Sequence, residues 1–461
     1  MKPYINVIGG GLAGCEAAYQ IAKRGIKVKL YEMKPEKFSP AHSNRNLAEI
    51  VCSNSFKSNL LTNACGLLKE ELRKLDSLLI KIADETKVPA GQALAVDREL
   101  FSERVTEEIK KNPNIQIISQ EIGKEEEEWK ELLQNSITIL ATGPLTSDAL
   151  AERIATLTGE DKLYFYDAAA PIVTKESIDF SIAFYGDRYA QEKKKEETIE
   201  EWKKRLEEEK DNQSYINLPM NQEEYETFWK ELVEAQVVEL HEFEKREIFE
   251  GCMPLEVMAK RGMDTLRFGP LKPVGFDDPR TVRRPYAVVQ LRQDDKEANL
   301  YNLVGFQTNL KFGEQKRVFQ LIPGLENAEF IKYGVMHRNT YINSSKLLLP
   351  TYQLKKNPHI FFAGQITGVE GYVESISSGM VAALNAVATY SEEEQIIFPE
   401  TTMIGALARY IAAENTNFQP MNANFGILPP LTEKIRDKKE RYRKLATKAL
   451  EDPIFVKKEG K

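Results

Sequence analysis

At 461 residues, with 42% hydrophobic and 29% charged side chains, the chain is long enough for two or three packed domains and too apolar to be disordered. Its formal charge of −7 excludes a uniformly basic nucleic-acid binder but leaves room for a local basic face. There is no leader before the first apolar run and no stretch of roughly 18 apolar residues, and the four scattered cysteines form no Cys-x-x-Cys pair, so a cytoplasmic protein with reduced thiols and no membrane contact is expected.

Residues 4–8 read as a buried strand and run straight into Gly9-Gly10-Gly11-Leu12-Ala13-Gly14. An alanine-rich helix follows to Arg24 and stops at Gly25, and residues 26–32 alternate as a second strand ending in Glu32. Strand, Gly-x-Gly-x-x-Gly, helix, strand and acid in one unit is the dinucleotide-binding arrangement. Gly9 permits the tight turn, Gly11 lets backbone approach a pyrophosphate, and Gly14 lets the helix pack on the strand. The helix N-terminus faces the phosphate charge and Glu32 the ribose hydroxyls. This unit alone does not separate FAD from NAD; its position at the start of the chain leans towards FAD.

Residues 33–66 read as a long loop carrying Cys52, of a length that is usually functional. Leu68, Leu72, Leu75, Leu79 and Ile82 predict one helical stripe, and a further helix is expected over residues 98–111. The charged run 124–131 reads as solvated surface, and residues 136–144 as a buried strand ending in a small-residue turn. The Lys/Glu-rich stretch 191–212 predicts an exposed helix laced with ion pairs. Cys252 sits ahead of Met253-Pro254 and a predicted helix, whose N-terminus favours a thiolate. Arg267, Lys272, Arg280, Arg283, Arg284 and Arg292, spaced by Gly and Pro, suit phosphate or carboxylate contacts. Residues 334–343 read as a polar loop entering a strand.

A second buried strand ends at Gly364-Gln365 and leads through Gly371-Tyr372 into a small-residue helix. It resembles the late unit that flavoproteins place against the isoalloxazine. The expected fold is therefore α/β: a Rossmann-like FAD-binding domain of the two-dinucleotide-binding flavoprotein type, interrupted by an α+β insertion. Its parts are residues 1–150, an insertion over 151–330 expected to meet the substrate, and residues 331–461. The tail from Lys434 carries eleven Lys and Arg against five Asp and Glu, a basic helix that is either solvated or RNA-facing. Cys15, inside the first helix, and Cys65, in an Ala-Cys-Gly turn, read as structural, whereas Cys52 and Cys252 lie in loops that can present a thiol.

The turn at residues 9–14, Val51-Cys52-Ser53-Asn54-Ser55, Phe249-Glu250-Gly251-Cys252-Met253-Pro254, Met336-His337-Arg338-Asn339-Thr340-Tyr341 and the segment from Gly364 to Tyr372 together resemble the flavoprotein folate-dependent tRNA (uracil-5-)-methyltransferase family over nearly the whole chain. The resemblance implies FAD as cofactor, methylenetetrahydrofolate and NAD(P)H as cosubstrates, and the tRNA T-arm as partner. A thiolate adding to uracil carbon 6 makes carbon 5 nucleophilic. Cys252 is the candidate for that addition, Cys52 for removal of the carbon 5 proton, and the two thiols favour an enzyme over a non-catalytic RNA-binding flavoprotein. Tyr372 is the candidate to stack on the isoalloxazine, and His337, Arg338 and Asn339 to meet folate. No second Gly-x-Gly-x-x-Gly is present, so NAD(P)H is expected to visit the flavin transiently; no metal site is expected. The same chemistry on ribosomal RNA, or a wobble-uridine tRNA-modifying flavoprotein, is the alternative, although the wobble enzymes carry an extended helical C-terminal region that this chain lacks.

Overall fold

The computed structural model describes residues 3–134, 136–159, 163–168, 170–209, 213–238, 253–334, 336–416 and 418–455; for 163–168 and 336–338 it describes the backbone alone. The fold grows from strand Tyr4–Ile8, whose Ile5, Val7 and Ile8 are buried. It is hydrogen-bonded in parallel on both sides, to Lys27–Glu32 with Val7 opposite Leu30, and to Thr138–Leu140 with Val7 opposite Ile139. Parallel pairing requires a crossover, which helix Leu12–Lys23 supplies. The complete sheet runs in the order 353–354, 357–362, 138–140, 4–8, 27–32, 115–119; every pairing is parallel except the edge pair Gln353–Leu354 with Asn357–Phe362. Such strands are buried on both faces, which is why they read as continuous apolar runs. One face carries helices Leu12–Lys23 and Tyr372–Tyr390 packed closely together: a Cβ added at Gly379 would lie 2.3 Å from the Ala13 carbonyl oxygen.

This first core takes in helix Asp148–Thr158, through Leu150 and Ile154, and resumes at Tyr341. A second core lies between, built on a six-stranded antiparallel sheet in the order 184–185, 215–220, 287–293, 300–303, 172–174, 330–332. Phe228 and Leu232 of helix Gln222–Glu234, and Val318 and Phe319 of helix Phe312–Phe319, cover it. The two crossings between cores lie side by side: strand Leu163–Ala168 pairs antiparallel with Met336–Tyr341.

Several elements differ from expectation. The stripe from Leu68 to Ile82 is two helices, Ala64–Lys74 and Leu78–Glu85, broken where Asp76 takes φ +56 and Ser77 caps the second. The long loop contains strand Ser55–Ser58, which joins a small sheet with Ala93–Val96 and Lys87–Val88. The acidic run near residue 128 is helix Glu126–Leu133, amphipathic and held by buried Trp129 and Leu132. Among the described residues of the Lys/Glu stretch only Ile199–Glu208 is helical, and Trp202 is fully buried with its indole N–H donating to the Gln191 carbonyl. Residues 336–341 form a strand because Leu163–Ala168 offers them an edge. The helix expected over 98–111 is found at Arg98–Lys111, capped by Asp97.

Helix Met403–Ala412 begins on a buried acid: Glu71 accepts the Met403 N–H at 2.7 Å and the Ile404 N–H at 2.9 Å. Burial raises its carboxyl from 4.5 to about 8. A carboxyl raised in the folded state stabilises when protonated, so its contribution is complete below 4.5 and lost as pH rises through about 8. Melting temperature should therefore fall between about pH 5 and about pH 9, and Glu71→Gln should flatten that slope; equal slopes in a thermal scan would contradict the assignment.

Candidate active site

A cleft of about 1090 Å³, counted with the solvent at its mouth, opens where the central parallel strands end, the place at which open α/β sheets bind ligands. Gly9, Gly10, Gly11, Leu12, Ala13, Glu32, Gly364, Gln365 and Tyr372 all line it. Gly14 does not, and its reason is packing: a Cβ there would sit 1.8 Å from the Gly9 carbonyl oxygen. Gly9 has φ +107, with the Ala141 carbonyl 2.4 Å from where a Cβ would be. At Gly11 an added Cβ would meet nothing within 4 Å, so backbone there stands open to the cleft. Gly11 caps helix Leu12–Lys23 with no side-chain hydrogen bond, and the first turn carries no acid to compete for an anion. Glu32 accepts the Gly10 N–H at 2.8 Å and the Lys34 N–H at 2.9 Å, so it braces the turn while facing the cleft. The far wall is the second helix start, where Gly371 takes φ +121 ahead of Tyr372, Gly364 donates its N–H to the Ser378 hydroxyl at 2.6 Å, and Gln365 is held by Glu370. Two helix N-termini thus converge on one cavity, with Glu32 at the end of its strand as the acid placed for a ribose. These donors fit a dinucleotide.

Cys52 is half-buried beside this cleft, next to Val51, which lines it. The Tyr372 hydroxyl accepts the N–H groups of Cys52 and Ser53, each at 3.0 Å, and its ring lies tilted on Phe56 at 5.5 Å. Burial pushes the Tyr372 phenol up and the nearby thiol adds to the shift, so it stays protonated. Cys252 lies outside the described residues. The helix that follows, Leu255–Lys260, is anchored by buried Glu256, which accepts the Thr308 hydroxyl and the Asn309 N–H at 2.9 Å. Cys15 and Cys65 are buried: the Cys15 thiol donates to the Gly10 carbonyl, and burial drives the Cys65 thiol up to about 12.

His337 and Arg338 pair through their backbones with Asp167 and Tyr166, while their side chains lie outside the described residues; Asn339 is buried. Their strand meets the cleft wall, where Thr340 donates its N–H to the Pro144 carbonyl at 2.8 Å; just after the strand, Ile342 donates to the Ile366 carbonyl at 2.8 Å. Of the basic stretch, Arg292 is not a phosphate contact. It is 7% exposed and donates to Asn54 and Ser53 beneath the thiol loop. Arg267 pairs with Asp264, Arg280 with Asp278 and Arg284 with Glu192. The C-terminal helix Lys438–Leu450 buries Leu445, Ala446 and Ala449 against the first core.

Sequence reasoning passed over Arg98, Asp294 and Lys332. Arg98 donates to the Ile50 and Val51 carbonyls at 3.3 and 3.2 Å and pairs with Asp294 at 3.0 Å. Lys332 is half-buried at the end of strand Phe330–Lys332, where burial and then the Arg98 charge lower its pKa. Lone charged residues in separate stretches carry no local signal of meeting.

The family model described as glucose inhibited division protein A matches residues 4–394. A relative from Acetivibrio thermocellus, named methylenetetrahydrofolate–tRNA-(uracil-5-)-methyltransferase TrmFO, is 59% identical over 98% of both chains. One of the same name from Halalkalibacterium halodurans is 56% identical over 99% of both. Among solved structures, Aquifex aeolicus GidA in its form II crystal matches with TM-score 0.65 at 17% identity, over 98% of this chain and 74% of that one, a likeness of fold.

Gly11→Val tests the cradle. Its side chain would project into the open cleft and not into backbone, so the melting temperature should hold while dinucleotide affinity drops at least about tenfold, roughly 1.4 kcal/mol. Unchanged dinucleotide content in the purified variant would place the ligand elsewhere.

Proposed function

This chain belongs to the family described as glucose inhibited division protein A, and from that premise we propose that it methylates carbon 5 of uridine in the tRNA T-loop, with methylenetetrahydrofolate as one-carbon donor and NAD(P)H as reductant. The observation that carries the reading is the seating of the Cys52 loop on the Tyr372 hydroxyl, at the rim of a dinucleotide cradle. The near full-length relatives that carry the methyltransferase name support it.

FAD is the dinucleotide that we assign to the cleft. Residues 9–14 would cradle its pyrophosphate, through the N–H groups beyond Gly10 and the dipole of helix Leu12–Lys23, and Glu32 would take the ribose hydroxyls. Gly364, Gln365 and Tyr372 form the opposite wall, where Tyr372 would meet the ring system. When bound and reduced, the flavin supplies the electrons that take the one-carbon unit to a methyl. Cys252 adds as thiolate to uracil carbon 6; the new S–C bond sends the ring π electrons towards carbon 5, which then attacks the one-carbon unit, whose bond to its carrier nitrogen breaks as it becomes a methyl. Cys52 removes the carbon 5 proton, and expulsion of the carbon 6 thiolate restores the ring double bond. His337, Arg338 and Asn339 are assigned to folate, since their strand joins the cleft wall at Pro144. The 151–330 insertion and the C-terminal helix are assigned to the RNA.

The roles of the two thiols separate in a covalent trap. With T-loop RNA carrying 5-fluorouridine, Cys52→Ala should still form the adduct and Cys252→Ala should not; the reverse pattern exchanges the roles. Nucleoside analysis of tRNA and rRNA from a deletion strain should show ribothymidine lost from tRNA. A loss confined to rRNA, or a change at the wobble base, would overturn the substrate assignment.

Arg283 and Arg284 are the RNA-facing candidates, Arg284 being held by Glu192 across an exposed pair at 3.4 Å. Charge reversal at both should weaken tRNA binding and shrink the slope of log K against log salt by about one for each phosphate no longer neutralised. An unchanged slope places the phosphates elsewhere.

A further inference from the structure

The loop that carries Cys52 belongs to the first core, through Leu47, Ala48 and Ile50. Three consecutive residues of the second core hold it. Arg292 donates from Nε to Asn54 Oδ1 at 2.9 Å and from Nη2 to Ser53 Oγ at 2.8 Å. The Gln293 carbonyl accepts from Asn54 Nδ2 at 2.9 Å. Asp294 pairs with Arg98, whose Nη1 reaches the Ile50 and Val51 carbonyls. Cys52 sits at the centre, flanked by clasped residues on both sides, with its own N–H on Tyr372.

Arg292 and Asp294 are 7% and 5% exposed. Burying charges in this way is a poor route to stability, because desolvation offsets the Coulombic gain; apolar packing of the same volume serves a core as well or better. What ion pairs and forked guanidinium bonds add is direction: each link fixes a distance and an angle at a chosen backbone atom. Arg292 and Gln293 end strand Ala287–Gln293, which lies inside the second sheet between Tyr215–Met220 and Leu300–Leu303, so the clasp is mounted on a rigid element.

We propose that Arg98, Asp294 and Arg292 are positioning residues that set the Cys52 thiol for proton removal, so that the base is aligned only while the second core is seated on the first. The proposal rests on the reading of Cys52 as the base. In the step concerned, the Cys52 thiolate accepts the carbon 5 proton and becomes a thiol; the C–H electron pair stays on the ring and returns to expel the carbon 6 thiolate. Neither Arg98 nor Arg292 exchanges a proton in it.

The test separates this step from those before it, using the full-length holoenzyme. Release of tritium from tRNA carrying 5-tritiated uridine reports proton removal. Adduct formation with 5-fluorouridine RNA reports the earlier addition, because carbon 5 then holds no proton to remove. In Asp294→Asn and Arg292→Lys, single-turnover tritium release should fall about tenfold to a hundredfold, the effect of displacing a reacting group by about an ångström, with adduct formation changed less than about twofold. Arg98→Lys keeps the charge and loses the forked reach, and should show the same split with flavin content intact, which removes misfolding as a cause. Asp294→Glu, which retains the pair, should recover part of the rate. Parallel loss of both signals, or no loss in any variant, overturns the proposal. Wild-type tritium release from Cys52→Ala would instead overturn the reading on which it rests.

Discussion

The structure depends on how closely backbone can approach at Ala13. Its carbonyl lies where a side chain at Gly379 would have to go, and its methyl stands 3.1 Å from where a Cβ at Gly364 would be. Gly14, one residue on, lets the same helix sink onto the Gly9 carbonyl. Three glycines from opposite ends of the chain therefore permit one meeting of turn, helix and helix. That approach brings the Leu12 and Tyr372 helix starts onto one cavity, and with them two sets of unpaired N–H groups and two positive dipole ends. A bulkier residue at any of these points would push the walls apart and dissolve the cradle before it changed any polar contact.

Tyr372 then links cradle and chemistry. It begins the second helix, so the packing that fixes the cradle also fixes its hydroxyl, which orients Cys52 and Ser53 through their backbones. The other side of the loop is held from the second core. The thiol is therefore suspended between two independently packed bodies, with links to each.

The sequence made the first unit legible because its logic is local: strand, glycine turn, helix and acid lie within one short stretch, with Gly9 and Gly14 required by backbone packing and Gly11 left open to the cleft. The late unit was legible for the same cause, through Gly364 and Gly371. What escaped was non-local. Residues 336–341 carry no strong strand pattern and become a strand only because Leu163–Ala168 lies alongside. Arg292 looked like one more member of a basic stretch, yet its partners are Ser53 and Asn54, far away in sequence. Trp202 lies within the Lys/Glu-rich stretch that reads as solvated, and only the fold shows that it is fully buried. The break between Leu75 and Ser77 turns on one backbone angle at Asp76, which apolar spacing does not register.

The sheet order carries a consequence for synthesis. Thr138–Leu140 lies between Tyr4–Ile8 and Asn357–Phe362, so the central sheet cannot close until the ribosome has passed Phe362. The second core, drawn from residues 170–330, is by contrast complete in one continuous stretch and can pack while the first still waits for its last strands and its second long helix. Its folding brings the two crossing strands at 163–168 and 336–341 together, which shortens the loop that the returning chain must close. The stretch that separates the two parts of the cradle in sequence is thus the one whose packing draws their ends together.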